Sequence, residues 1–338
     1  MNNNKKERMR DLILSLPEQL VEGWRIGFDC PIFPRRGFNN VVVAGMGGSA
    51  IGGDIVRALF LMESPIPVIT WRDYKIPGIV TKDTLFFAIS YSGETEETLS
   101  AYQEARHRGC QIVPITSGGT LERMSQKDGF CPVKVPGGMP PRAAIGFLSI
   151  PILAILYRVG LCRNYQKDVL KTSGLLRRRM RRWQKMSTAL SAKLLGMLPI
   201  VYSTTRLLDV AAYRWCTQLN ENAKVLCHTA CLPEQNHNEI MGFGAPEFLS
   251  GRMVLVVLVD RDTPVRTIFR LRYTKRLIQN DCPNMILIKG EGQLPLTRLF
   301  SIIAIGDLLS VALAKRRSVD PMAIPRIDEL KKMLKERK

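Results

Sequence analysis

Histidine is the scarcest functional residue in this chain. Only His107, His228 and His237 occur in 338 residues, so imidazole chemistry has few possible sources. Acidic residues are also in short supply, with 30 Asp and Glu against 49 Lys and Arg, a formal charge of +19. That imbalance fits attraction of nucleic acid or an acidic membrane, or a basic surface with a small anionic substrate, and charge alone does not choose. The eight cysteines contain no Cys-x2-Cys pair, and most read as small buried hydrophobes. A long uninterrupted apolar run is missing too. The run from Ile145 to Tyr157 contains Pro151, stops at Arg158 and reads as a buried helix rather than a membrane span. No apolar segment with a small-residue cleavage site follows the polar start Met1–Arg8, which predicts no secretory leader and a cytoplasmic location.

Hydrophobic residues make up 46% and charged residues 23%, the balance of a globular chain, and the length suffices for two domains. A helix is predicted over Glu7–Trp24, interrupted at Pro17 and closed by Gly27. Short apolar runs follow at Val41–Ala44, Pro67–Thr70, Leu85–Ile89 and Gln111–Thr116, separated by helical stretches at 50–61 and 95–108. From Cys162 to Gly196 the chain is basic and helical, and its Arg177–Arg182 cluster reads as the solvated face of a connecting helix. Strands then recur at Leu198–Tyr202, Met253–Val259 and Met285–Ile288, with helices at 208–219, 299–314 and a basic tail from Ile327 to Lys338. Short strands alternating with helices predict an α/β chain whose mostly parallel sheets are covered on both faces. The expected division is 1–160, a connection 161–196, and 197–338.

Two loops carry the chemistry. Gly45-Met46-Gly47-Gly48-Ser49 joins the first strand to a helix, where glycines let backbone approach an anion and the helix start offers free N–H groups. The loop also fits a dinucleotide fingerprint, but a nicotinamide site wants an acid at the end of the second strand, and Glu63 lies before that strand. The second loop, Ser90-Tyr91-Ser92-Gly93-Glu94-Thr95, packs three hydroxyls at a helix start. Capping needs one, so Ser90, Ser92 and Thr95, with Gly47, Gly48 and Ser49, are candidates to hold a phosphate.

These loops resemble the sugar-isomerase (SIS) domain motif. Further on, Pro140-Pro141-Arg142, Tyr213-Arg214-Trp215, Asn220-Glu221-Asn222-Ala223-Lys224 and Asn236-His237-Asn238-Glu239-Ile240 resemble the bifunctional phosphoglucose/phosphomannose isomerase family. The resemblance runs from Pro17 to the Val319–Pro321 region. It implies two SIS domains, each a doubly wound, flavodoxin-like sheet, and interconversion of glucose 6-phosphate and mannose 6-phosphate with fructose 6-phosphate through a cis-enediol(ate). It implies Glu221 as the base, His237 as the ring-opening group donated by the neighbouring subunit of a homodimer, and a lysine from the C-terminal segment, matched by Lys331. Arg142 suits stabilisation of the enediolate oxygen. No cofactor or metal is called for, and the spacing Cys227-His228-x2-Cys231-x5-His237 matches no standard zinc site. The pattern also departs from the family where Ser203 stands in place of an expected glycine. A sugar-phosphate-binding regulator without turnover is the alternative, but 40 N-terminal residues leave no room for a helix-turn-helix and a linker, so nucleic acid is not an expected partner.

Overall fold

Runs of β-branched and apolar residues with no polar alternation require burial on both faces, and the runs at Val41–Ala44, Leu85–Ile89 and Met253–Val259 meet that requirement, whereas Met285–Ile288 at a sheet edge leaves Leu287 60% exposed. The computed structural model describes residues 3–31, 37–61 and 63–336. In the N-terminal half, β1 (Asn40–Gly45), β2 (Val68–Trp71), β3 (Thr84–Ile89), β4 (Gln111–Thr116) and β5 (Val133–Lys134) form one sheet in the order β2-β1-β3-β4-β5. Every neighbouring pair is parallel, with Val41 opposite Val68 on one side and Leu85 on the other. In the C-terminal half, β6 (Leu198–Ser203), β7 (His228–Cys231), β8 (Met253–Val259) and β9 (Asn284–Lys289) form a second parallel sheet in the order β7-β6-β8-β9. β5 and β7 were not anticipated. The first has two residues, and the second is a partly exposed His-Thr-Ala-Cys run without an apolar pattern.

The sheets share a common core. Val41 and Val43 of β1, and Val201, Val254 and Val256 of the second sheet, belong to one buried cluster. The intervening residues point the other way, Val42 and Ala44 into an outer cluster on one side, Tyr202 and Leu255 into another on the far side. That alternation follows from the two-residue strand period. Between the sheets lie α2 (Leu16–Asp29), α6 (Ile145–Arg158), α7 (Gln166–Leu194) and α10 (Pro295–Arg316). α7 therefore does more than connect. Leu176, Met180, Trp183 and Leu190 sit in the shared core, while Arg177, Arg178, Arg179, Arg181 and Arg182 face solvent as expected. Arg177 reaches Glu18 at 3.0 Å and Arg179 reaches Glu291 at 3.1 Å.

Two sequence expectations change. The N-terminal helix is two helices, α1 (Asn3–Leu14) and α2, with Pro17 in the first turn of α2 where its missing N–H costs nothing. Gly27 does not end α2. A Cβ there would lie 2.6 Å from the Cα of Pro151, so glycine is needed for close packing on α6. Among the described residues, one helix is long and apolar enough to cross a membrane, and it is α10 rather than α6. Of its most apolar window, 94% is buried inside the protein, the position of a core helix. The C-terminal tail forms α11 (Pro325–Lys335), and residues 337–338, like Met62 before the second strand, lie outside the described residues.

Candidate active site

The first loop sits at the carboxyl end of β1 and opens α3 (Gly47–Phe60), with no side chain capping the helix. Its start therefore keeps backbone donors and the positive end of the helix dipole available to an anion. The second loop follows β3 and opens α4 (Glu96–His107). Thr95 occupies the N-cap, yet its side chain caps nothing and accepts instead from the Ser90 hydroxyl at 2.8 Å. Ser92 is exposed and accepts from the Glu94 N–H at 3.2 Å. The two loops meet where the buried Ser49 hydroxyl accepts from the Tyr91 N–H at 3.4 Å. Gly47, Gly48, Ser49, Ser90, Ser92 and Thr95 thus gather at one edge of the first sheet, as parallel topology dictates.

The turn Pro141–Ala143 brings Arg142 against this edge. A Cβ on Gly48 would lie 2.9 Å from the Pro141 carbonyl oxygen, so only glycine allows the approach. Arg142 is 4% exposed. Its Nη1 reaches a Glu221 carboxylate oxygen at 3.3 Å, its Nε donates to Asn222 Oδ1 at 2.7 Å, and its Nη2 donates to the carbonyls of Pro321 at 2.6 Å and Met322 at 3.2 Å. Burial lowers the Arg142 guanidinium from its ordinary value, while Glu221, Asp320 and Asp328 oppose that shift. Glu221 lies in a wide π-turn, Leu219–Ala223, that ends α8 (Arg206–Gln218), and it stays partly open to solvent. The turn closes at Lys224, in the left-handed conformation at φ 58°, whose ammonium donates to the Glu221 and Ala323 carbonyls.

A buried polar network that the motif reading did not assign stands behind this pair. Asp307 of α10 takes two hydrogen bonds from Arg214, at 3.0 and 2.7 Å, and one from Gln218 at 2.9 Å. Arg214 and Gln218 also donate to the Arg142 carbonyl, at 2.7 and 3.1 Å. Asn222 Nδ2 donates to Gln218 at 3.1 Å and to Ser310 at 2.9 Å. Burial pushes the Asp307 carboxyl upward, and Arg214 and Gln218 pull it back. The available signal was Asp307, the single acidic residue of the mostly apolar α10, since buried charge persists only when partnered.

Two candidates are not brought to Glu221 within this chain. His237 is exposed in the turn Glu234–His237, which Asn236 ties to Thr274 at 2.8 Å, and it makes no hydrogen bond to Glu221 or Arg142. Lys331 is exposed on α11. It is the start of α11 that approaches the base: Glu221, Lys224, Arg317, Arg326 and Ile327 line a cavity of about 570 Å³. Arg317 and Arg326 were not singled out in the sequence. Residues 227–237 do not converge as ligands. His228 pairs with Glu239 at 3.0 Å, and among the described residues no three His, Cys, Asp or Glu side chains are grouped for a metal. Ser203, the departure from glycine, is buried and donates to Asp209.

Residues 37–128 match the SIS domain, and residues 184–334 match the bacterial phospho-glucose isomerase C-terminal SIS domain. The chain is 37% identical over 336 residues to the bifunctional phosphoglucose/phosphomannose isomerase of Caldicellulosiruptor bescii, covering 97% of this chain and 99% of that one. It is 35% identical over 300 residues to the protein of the same name from Thermoplasma acidophilum, covering 88% and 90%. Among solved structures, tagatose-6-phosphate ketose/aldose isomerase from Escherichia coli superposes with a TM-score of 0.69 at 15% identity, over 93% of this chain and 94% of that one, a likeness of fold. On sequence identity along nearly its whole length, the chain belongs to the bifunctional phosphoglucose/phosphomannose isomerase family.

Proposed function

We propose that the protein interconverts glucose 6-phosphate and mannose 6-phosphate with fructose 6-phosphate, with Glu221 as the base. The observation that carries the reading is the Arg142–Glu221 pair, set beside two hydroxyl- and glycine-lined helix starts. Gly47, Gly48, Ser49, Ser90, Ser92 and Thr95 hold the phosphate, neutralised by the dipoles of α3 and α4. The Glu221 carboxylate takes the proton from C2 of the open-chain aldose, the double bond forms between C1 and C2, and the electron pair of the carbonyl moves onto O1. The same carboxylate returns the proton to C1 while the O2 hydroxyl proton passes to O1 and the C2–O2 bond becomes the carbonyl, giving the ketose. A positioned base of this kind contributes about 10²–10⁴-fold. Arg142, fixed by carbonyls and Asn222, stabilises the enediolate oxygen without rearranging. Both C2 epimers pass through one enediolate, because C2 is planar there.

His237 opens the sugar ring at the site of a second copy, which accounts for its exposure away from its own Glu221. The protein is accordingly read as a homodimer in the cytoplasm, with Lys331 contributing to the sugar contacts and domains at 1–160 and 197–338 joined by 161–196. A coupled assay for fructose 6-phosphate from each aldose tests the reading. Wild-type protein turns over both, and Glu221→Gln turns over neither while still binding them. Activity surviving in Glu221→Gln would place the base elsewhere, and binding without turnover in the wild type would favour a sugar-phosphate-binding regulator.

A further inference from the structure

Cys216 lies in the last turn of α8, and Cys227 immediately precedes β7. The chain between them leaves the helix through the π-turn, reverses at Lys224 and is pinned by the Val225 N–H donating to the Leu219 carbonyl at 3.2 Å. That path returns Cys227 beside Cys216. Both thiols point at one acceptor, the His228 carbonyl oxygen, with the Cys216 sulfur at 3.3 Å and the Cys227 sulfur at 3.6 Å. The Cys216 thiol beside it, together with burial, pushes the Cys227 thiol above its ordinary value. Sharing one acceptor atom puts the two sulfurs in the same small region, where rotation of the side chains can bring them to bonding distance. Both are free thiols here.

We propose that Cys216 and Cys227 are a covalent modification site, joined by an internal disulfide that clamps the turn carrying Glu221. The oxidant is a low-molecular-weight disulfide. Cys227, partly exposed, loses its proton and attacks one sulfur of the oxidant, forming a mixed disulfide and releasing one thiolate. Cys216, deeply buried beside it, loses its proton and displaces the second thiolate, closing the protein disulfide. Two protein thiols are oxidised, one disulfide is reduced to two thiols, and the two protons end on the released thiols. The closed loop, residues 216–227, contains Glu221, Asn222 and Lys224. Because the thiols already share one acceptor, closure leaves the native turn in place and restricts mainly the unfolded chain. The cross-link is read from the thiols alone, and only its catalytic relevance rests on Glu221 being the base.

The test uses full-length protein kept reduced or treated with glutathione disulfide, alkylated, digested without reductant and mapped by mass spectrometry. The expected result is a peptide joined at Cys216 and Cys227, with the oxidised protein melting roughly 3–5 °C above the reduced one. That difference should vanish in Cys227→Ser, and in Cys216→Val as an independent check. Glutathione retained on Cys227 as a mixed disulfide, both thiols still alkylated after the exposed Cys131 has reacted, or a cross-linked protein that melts lower would each overturn the proposal. A protein that forms the cross-link and is stabilised by it, yet isomerises no sugar phosphate even in its reduced form, would leave the proposal standing and refute the function assigned above.

Discussion

Asp307→Asn isolates the contribution of the buried network to the site. Asp307 and Arg214 are 2% and 1% exposed, and Asp307 accepts three hydrogen bonds. Removing the carboxylate charge leaves the Arg214 guanidinium in the core without a counter-ion, which costs about 3–5 kcal/mol. For 338 residues the unfolding entropy near the midpoint is about 0.7 kcal/mol per degree, so the expected fall in Tm is roughly 4–7 °C. Calorimetry at neutral pH measures it. The catalytic consequence follows from shared atoms. Arg214 and Gln218 hold the Arg142 carbonyl, and Gln218 holds Asn222, so loosening Asp307 misplaces both residues that flank Glu221. We expect kcat to drop about tenfold or more, because positioning errors act on the transition state, with KM changing less. The double variant Arg214→Met, Asp307→Leu separates the effects. It removes both charges, so it should recover most of the lost stability while kcat stays low. A Tm for Asp307→Asn within a degree of the wild type would refute the reasoning, since it would mean that Arg214 is not an unpaired buried cation in that variant.

Further outcomes test other parts of the site. Ser92→Ala should raise KM for both aldoses several-fold with little change in kcat, since it removes one hydroxyl from the phosphate loop, and an unchanged KM would put the phosphate elsewhere. Gly48→Ala should lower kcat, because the added methyl would meet the Pro141 carbonyl at 2.9 Å and shift the turn holding Arg142. A variant as active as the wild type would show that the turn gives way freely. Mixing Glu221→Gln with His237→Ala subunits, after dissociation and reassociation, should restore about a quarter of wild-type activity, since half of the dimers are mixed and each has one intact site. No recovery would remove His237 from the partner's site. The Cys227 thiol is held above its ordinary pKa by the Cys216 thiol beside it and by burial, so only a small thiolate fraction exists near neutrality. Cross-linking should accelerate about tenfold per pH unit from pH 7 to 9, and a flat rate over that range would contradict the assignment of Cys227 as the attacking thiol.

Local features were legible in the sequence. Val41–Ala44, Leu85–Ile89 and Met253–Val259 are strands, because short apolar runs between glycine or polar turns have few other conformations. The loops at 45–49 and 90–95 fall at strand ends because parallel topology puts them there. Family membership was legible for the same reason, since motifs are short contiguous strings. The tertiary structure decided what depends on residues far apart in the chain. Gly27 signalled a helix end by its type, but its role is set by Pro151 on another helix. α7 had the composition of a linker, and only the packing of Trp183 and Met180 shows that it joins both halves in a single core. Asp307, 165 residues from Arg142, and the thiols of Cys216 and Cys227 acquire partners only when the chain folds back. Local conformation is governed by interactions along a few residues. Partnerships across the core are governed by exclusion of water and close packing, which no local stretch of sequence specifies.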